Sequence, residues 1–189
     1  MGGTALLVMD VQRRIVERFA GTEDYLPRLA AAVEAARAAG VPVIFVRVAF
    51  RPGFPEVSPA NRAFAALRAA GGLADPEAAE IHPAVAPRRG EPVVTKLRVS
   101  AFTGSDLEVL LRAQGIGSLV LAGIATSGVV LSTLREAADR DYVLAVLSDG
   151  CLDADPEVHR VLTTRVFPRQ AEVLTVAEWT GRLPGAARP

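Results

Sequence analysis

Apolar and polar positions along the chain follow two spacings in turn. Residues 4–9 (TALLVM) form a short continuous apolar run that stops at Asp10-Val11-Gln12, the pattern of a strand buried on both faces with Asp10 at its carboxyl end. Over residues 25–39 the apolar positions Leu26, Leu29, Val33 and Ala36 recur at helical spacing, and Gly40 supplies the stop. Residues 42–49 (PVIFVRVA) read as a second buried strand. Strand, helix and strand joined by a crossover of this length predict a right-handed βαβ unit and hence a parallel sheet.

Residues 50–92 break the pattern, with Pro52, Pro55, Pro59, Pro76, Pro83, Pro87 and Pro92 punctuating short Ala-rich stretches. We read them as a lid-like excursion covering one end of the sheet, with a short helix over 61–70. The alternation then resumes. A strand over 92–97 carries Lys96 near its end, and Ser105 and Glu108 have capping-box spacing for a helix running to Gly115. A strand over 118–122 leads through a Gly-bounded turn into a helix over 128–139, and a further strand over 142–148 ends at Asp149. Asp155-Pro156-Glu157 starts a helix to about residue 166, residues 171–176 form the last strand, and the tail from Gly181 is expected to fray.

Six expected strands alternating with helices predict a doubly wound, three-layer α/β/α sandwich with a mainly parallel, Rossmann-like sheet, all in one domain over residues 1–189. In such sheets ligands bind beyond the carboxyl ends of the strands. Asp10, Lys96 and the turn after Ala122 all lie at carboxyl ends, so one crevice can collect them. The turn, Gly123 to Gly128, places backbone N–H groups where a helix begins and its dipole is positive, a setting that stabilises an anion or a developing oxyanion. It also reads as an ordinary strand-to-helix connection with Thr126 or Ser127 as N-cap.

Composition narrows the function classes. Lys plus Arg and Asp plus Glu stand at 21 each, and the basic residues are dispersed, which argues against nucleic acid and anionic membrane partners. The lone cysteine, Cys151, excludes an internal disulfide, and its best reading is a small buried residue. No signal-like or membrane-spanning stretch is evident, so a cytoplasmic protein is expected. His82 and His159 are isolated in sequence, giving no pattern for a metal, and no G-x-G-x-x-G follows the first strand, so no cofactor is expected.

Asp10 in DVQ, Lys96 in VVTKLRVSAF and the run LVLAGIATSGVVLSTLREAADRDYVLAVLSD, in this order and spacing, resemble the isochorismatase-like hydrolase superfamily, which includes nicotinamidases, N-carbamoyl amidohydrolases and isochorismatases. The resemblance covers nearly the whole chain and implies the same α/β sandwich. It implies a site of Asp10, Lys96 and the turn, with a non-proline cis peptide at Ile124–Ala125. Amidases of the superfamily attack with a cysteine thiolate. Matching GIATSGVV to their turn puts that position on Val129, or on Gly128 after a slip of one residue, and neither carries a nucleophilic atom.

Isochorismatases proper keep the Asp and Lys, lack the Cys and hydrolyse a vinyl ether, a reaction that needs a proton donor and water. The resemblance therefore implies a hydrolase acting on a small, carboxylated metabolite by Asp10 and Lys96 acid–base chemistry without a covalent thioester. Gln12, Phe102, Ala125 and Gly128 are the expected substrate-side residues. Arg47, Arg51 and Arg98 are candidates for holding a carboxylate, although solvation is the ordinary fate of surface arginines. A homodimer or larger homo-oligomer is expected from the resemblance. The alternative, from a different class, is an inactive member serving as a small-molecule-binding or scaffold protein, with the Val129 side chain filling the space of the missing thiol.

Overall fold

The computed structural model of the protein describes residues 2–71 and 76–184. Its centre is a six-stranded, entirely parallel sheet in the order β3-β2-β1-β4-β5-β6. The strands are β1 (Gly3–Met9), β2 (Val43–Val48), β3 (Val93–Lys96), β4 (Ile116–Ile124), β5 (Val143–Leu152) and β6 (Glu172–Leu174). Order reverses between β1 and β4, which pair from Gly3 and Ile116 to Met9 and Gly123.

The apolar run of β1 is continuous because both faces are covered. Ala5, Leu7 and Met9 pack on one side with Leu107 and Leu111 of α4 (Leu107–Ala113) and with Leu134 and Ala137 of α5 (Leu131–Asp139). Leu6 and Val8 pack on the other with Leu29, Val33 and Ala36 of α2 (Thr22–Ala38) and Trp179 of α7 (Val176–Thr180). This period of two in the strand against three to four in the helices makes the three expected layers. Each fully buried Leu or Val on these faces contributes roughly 1.5–3 kcal/mol. Short helices α1 (Arg13–Val16), α3 (Arg62–Ala69) and α6 (Pro156–Val161) complete the elements.

The excursion after β2 carries its own small core, in which Phe54, Val57, Phe64 and Ala78 pack against Val48. Its second half is tied to the segment after β1: the Arg13 N–H donates to the Glu80 carbonyl, the His82 N–H donates to the Val11 carbonyl, and Gln12 and Ile81 form an antiparallel bridge. Asn61 caps α3, as expected from sequence, accepting from the Phe64 N–H at 3.2 Å. The expectation of a lid over 50–92 includes residues 72–75, which lie outside the described residues.

Several expected boundaries shift. The Ser105 capping box does not form: α4 begins at Leu107, and the Ser105 hydroxyl donates to the Ala101 carbonyl while accepting from the Leu107 N–H. A full capping box occurs instead at Thr175 and Glu178, at the start of α7. The strand expected to end at Asp149 continues to Leu152, because a register irregularity after Leu121 lets Gly123 and Ile124 pair with Cys151 and Leu152. Asp149 sits inside β5 and accepts from the Val176 N–H at 2.7 Å. Regular helix after the turn starts at Leu131, since residues 126–130 form a wider π-type turn in which Gly128 (φ −99°, ψ −106°) is not helical. Neither Thr126 nor Ser127 is the N-cap there, a place taken by Ala125. The tail expectation falls mostly on residues 185–189, outside the described residues.

Candidate active site

The end of β1 is where the site begins. Asp10 takes a left-handed backbone conformation (φ 56°), while its N–H remains bound to the Val46 carbonyl at 2.8 Å. Among L-residues Asp is one of the few that enters this region, and non-glycine residues held there gather at functional sites. Beside it the end of β4 comes unusually close. A Cβ on Gly123 (φ 146°) would lie 2.1 Å from the Met9 carbonyl oxygen, so only glycine permits this approach of the two strand ends. The Ile124–Ala125 peptide that follows is cis, as the resemblance implied.

Lys96, at the end of the edge strand β3, reaches past β2 to complete a buried ion pair. Its Nζ lies 2.9 Å from Asp10 Oδ2 and donates to the Arg98 carbonyl at 2.9 Å. The two side chains are 2% and 9% exposed. Asp10 Oδ1 is buried as well and has no hydrogen-bond partner among the described residues. Burial pushes the Asp10 carboxyl up to about 6, and the attraction and hydrogen bond of Lys96 only partly oppose it. The sequence left the balance between these two effects open, and desolvation is the larger.

Asp10 and Lys96 open onto a cavity of about 230 Å³ together with Ala125, Gly128 and Val129 of the turn. The excursion contributes Ala63, Phe64 and Leu67 of α3 to the lining, and Val48, Val99 and Ile124 complete it. Five of the seven expected site positions, on three separate segments, thus meet in one place.

Gln12 and Phe102 do not reach it. The Gln12 amide is spent on backbone: Nε2 donates to the Val48 carbonyl (3.1 Å) and the Ala78 carbonyl (2.7 Å), and Oε1 accepts from the Val48 N–H (2.8 Å). It fastens the excursion to the end of β2 and so positions Val48 and the α3 part of the lining. Phe102 is buried in the core, tilted against Tyr142 with ring centroids 5.9 Å apart and covered by Arg140. Of the two placements considered for it, pocket wall or core, the core is the one observed.

The candidate carboxylate-binding arginines are also engaged by protein groups. Arg47 donates to Thr95, Arg51 pairs with Glu56, and Arg98 donates to the Leu97 and Glu56 carbonyls. Cys151 is buried in β5 with its Sγ 3.9 Å from the Leu121 carbonyl oxygen, and burial pushes its thiol up to about 12. A neutral thiol in that place is a packing residue.

His159, isolated in the sequence, has a partner in the fold. Its Nδ1 is 2.8 Å from the Oγ1 of Thr126, a fully buried residue of the turn, and burial lowers the imidazole below its ordinary value although Asp153 opposes this. Asp153 accepts from the Ser127 N–H at 2.6 Å. The turn is therefore held from behind by the start of α6 and the loop before it. The only trace of this in the sequence is the presence of Asp153 and His159 after the neighbouring strand, which local pattern does not connect to a turn 26 or 33 residues earlier. Among the described residues no cluster of three or more His, Cys, Asp or Glu side chains is arranged to hold a metal ion, and no helix is long and apolar enough to cross a membrane.

Comparison with known proteins matches residues 4–178 to the isochorismatase domain family. The ureidoacrylate amidohydrolase RutB of Methylobacterium radiotolerans is 33% identical over 189 residues, covering 86% of this chain and 72% of that protein. Among solved structures, an isochorismatase family protein from Burkholderia thailandensis superposes with a TM-score of 0.80 at 33% identity, over 93% of this chain and 92% of its own. A cysteine hydrolase from Pseudomonas syringae pv. phaseolicola 1448A superposes with a TM-score of 0.87 at 27% identity, over 97% and 93%.

Proposed function

The chain belongs to the isochorismatase family and is a hydrolase of that family, and on this premise we propose that it works by acid–base chemistry centred on Asp10, with no covalent thioester. The observation that carries this reading is the buried Asp10–Lys96 pair at a cavity that no thiol lines. The family position of the nucleophile is read onto Val129, and the single cysteine of the chain is a buried neutral thiol in β5.

The proposed roles follow from the geometry. Lys96 holds Oδ2, while Oδ1 has no hydrogen-bond partner among the described residues, so the Asp10 carboxyl group keeps one oxygen uncommitted. With its carboxyl raised to about 6, Asp10 carries a proton in an appreciable fraction of molecules near neutral pH, as a general acid requires. It delivers that proton to the substrate, water adds to the electron-poor carbon so formed, and the Asp10 carboxylate takes the surplus proton from the added water; the hemiketal then breaks its C–O bond, its hydroxyl losing a proton as the departing oxygen gains one, which releases a carbonyl compound and an alcohol. The residue is thereby restored. Lys96 stabilises the carboxylate in the interval and keeps its orientation. The isochorismatase resemblance suggests a vinyl ether as the bond cleaved. An open cavity beside Asp10 and Lys96 supports the hydrolase over an inactive scaffold, for which Val129 would have to plug the space. From family membership we further infer a homo-oligomer, dimer or larger, acting in the cytoplasm on a small molecule, with the 50–92 excursion as its lid.

The test is a substrate panel spanning vinyl ethers and amides, run on the wild type and on Asp10→Asn. Turnover of the best substrate is expected to fall by roughly 10²–10⁴-fold, the usual worth of a general acid, with the unfolding midpoint retained. Turnover that survives the substitution rejects the reading.

A further inference from the structure

The cavity chemistry is specific about the charge of what it holds. Its two ionic side chains neutralise one another, and Lys96 directs a further donor to the Arg98 carbonyl. The remaining side chains facing the space are hydrocarbon: Val48, Phe64, Leu67, Val99, Ile124 and Val129 among them. Arg47, Arg51 and Arg98 are turned to protein acceptors, so none is part of the lining. A ligand carboxylate here would lose its water against apolar walls and approach the Asp10 carboxylate, with no cationic side chain in the lining except Lys96, which is already paired, and burying a charge so placed is unfavourable. Among the side-chain atoms of the described residues that line the space, the one buried acceptor without a hydrogen-bond partner belongs to the Asp10 carboxyl group. At about 230 Å³ the space also falls below the roughly 300–1,000 Å³ of sites for drug-sized ligands.

We propose that this site takes a compact, uncharged substrate with a hydrocarbon body, which presents one N–H or O–H donor to the Asp10 carboxyl group and lays its apolar part against Phe64 and Leu67 of α3. The proposal rests on the hydrolase reading for calling the ligand a substrate, and it differs from the carboxylated metabolite expected from the family resemblance. Ala63, Phe64 and Leu67 come from consecutive turns of one short helix, so the excursion sets specificity as well as covering the site. A donor bound to the Asp10 carboxyl group stabilises its ionised form and lowers its proton affinity, which makes the fraction still protonated a stronger acid toward the substrate, whereas a bound anion raises that affinity.

That opposition provides a readout independent of turnover. Isobutyramide and succinamate are matched probes, sharing a primary amide and differing in a carboxylate. Their binding to the wild-type protein is to be followed by NMR titration of the Asp10 side-chain carboxyl carbon against pH. Isobutyramide is expected to bind and to shift the Asp10 titration to lower pH, with succinamate at least about tenfold weaker. Leu67→Arg, and separately Val99→Arg at the exposed rim, are expected to reverse the preference toward succinamate. Absence of isobutyramide binding, equal or tighter binding of succinamate to the wild type, or an upward shift of Asp10 with isobutyramide overturns the proposal. Isobutyramide binding with the expected shift, in a protein whose turnover is indifferent to Asp10→Asn, upholds the cavity chemistry and rejects only the hydrolytic role of Asp10.

Discussion

The two ends of the sheet hold cavities of opposite character. At the strand starts a space of about 720 Å³ is lined by residues such as Thr4, Val41, Ile116 and Trp179, and its ion pair, Arg182 with Glu172 at 2.8 Å, is more than half exposed on both sides. At the carboxyl ends the cavity is about a third that size, and its ion pair, at 2.9 Å, is almost fully buried. The two distances differ by only 0.1 Å, while solvent access differs greatly. Water screens the first pair into a surface contact, and its exclusion from the second makes a carboxyl whose protonation responds to small changes around it. The larger space is not the one that holds the perturbed carboxyl. Desolvation of an ion pair is concentrated where strand order reverses and where the excursion folds over the strand ends.

Breaking the buried pair is the severest test of that contrast. Lys96→Met leaves the Asp10 carboxylate buried without its cation and is expected to destabilise the protein by about 3–5 kcal/mol at neutral pH in urea unfolding. The loss should shrink toward pH 5, because a protonated Asp10 no longer needs a cation. A loss that stays constant with pH would mean that Lys96 acts through packing alone.

Next in size is the pH dependence of stability. The Asp10 carboxyl moves from an ordinary 3.8 to about 6 in the fold, so between these values the folded state binds more protons than the unfolded one. Its contribution therefore falls as pH rises from about 4 to about 6 and is level above, an effect of about 3 kcal/mol. Glu34, Glu91 and Glu136, which arginine partners and hydrogen bonds hold below the usual carboxylate range, act in the opposite sense at lower pH. They are common to wild type and Asp10→Asn, so the difference between the two urea-unfolding series isolates Asp10. A flat difference across this window contradicts the assignment.

A gentler change exchanges the residue on the turn. Val129→Cys nearly conserves volume and should alter stability by less than about 1.5 kcal/mol. It places a thiol at the cavity that Lys96 also lines, whereas the natural thiol, Cys151, is buried with its proton held to about 12. The folded wild type should resist iodoacetamide and the variant should take up one equivalent per chain, as read by mass spectrometry. Labelling of wild-type Cys151 at a similar rate would remove the distinction between the two positions.

The smallest effect belongs to the other end of the sheet. Arg182→Ala removes the exposed pair with Glu172 and should change stability by less than about 1 kcal/mol, with turnover unchanged. A loss matching that of Lys96→Met would erase the contrast between the ends.

Much of the fold was readable from residue spacing. The continuous apolar run of β1 and the period of three to four in α2 identify their elements without help, because the first reports that both faces are dry and the second which face is. Topology then followed from crossover length, and the rule that ligands lie beyond carboxyl ends brought Asp10, Lys96 and the turn together. Details governed by backbone partners rather than apolar pattern were missed. Ser105 had the spacing of a cap and bonded elsewhere, and β5 ran on to Leu152 because its register with β4 shifts.

The sequence by itself determined the sheet, the residues at its strand ends and the family to which the chain belongs, since these depend on periodicity and short motifs that survive without coordinates. Only the tertiary structure decided what those residues are. That Lys96 lies against Asp10, that Gln12 bonds backbone 36 and 66 residues away, and that His159 braces Thr126 all depend on contacts between distant segments. Whether Asp10 holds its proton depends further on how completely those segments exclude water. Local pattern encodes neither, because a side chain acquires its partners and its solvent exposure only when separate elements are packed together.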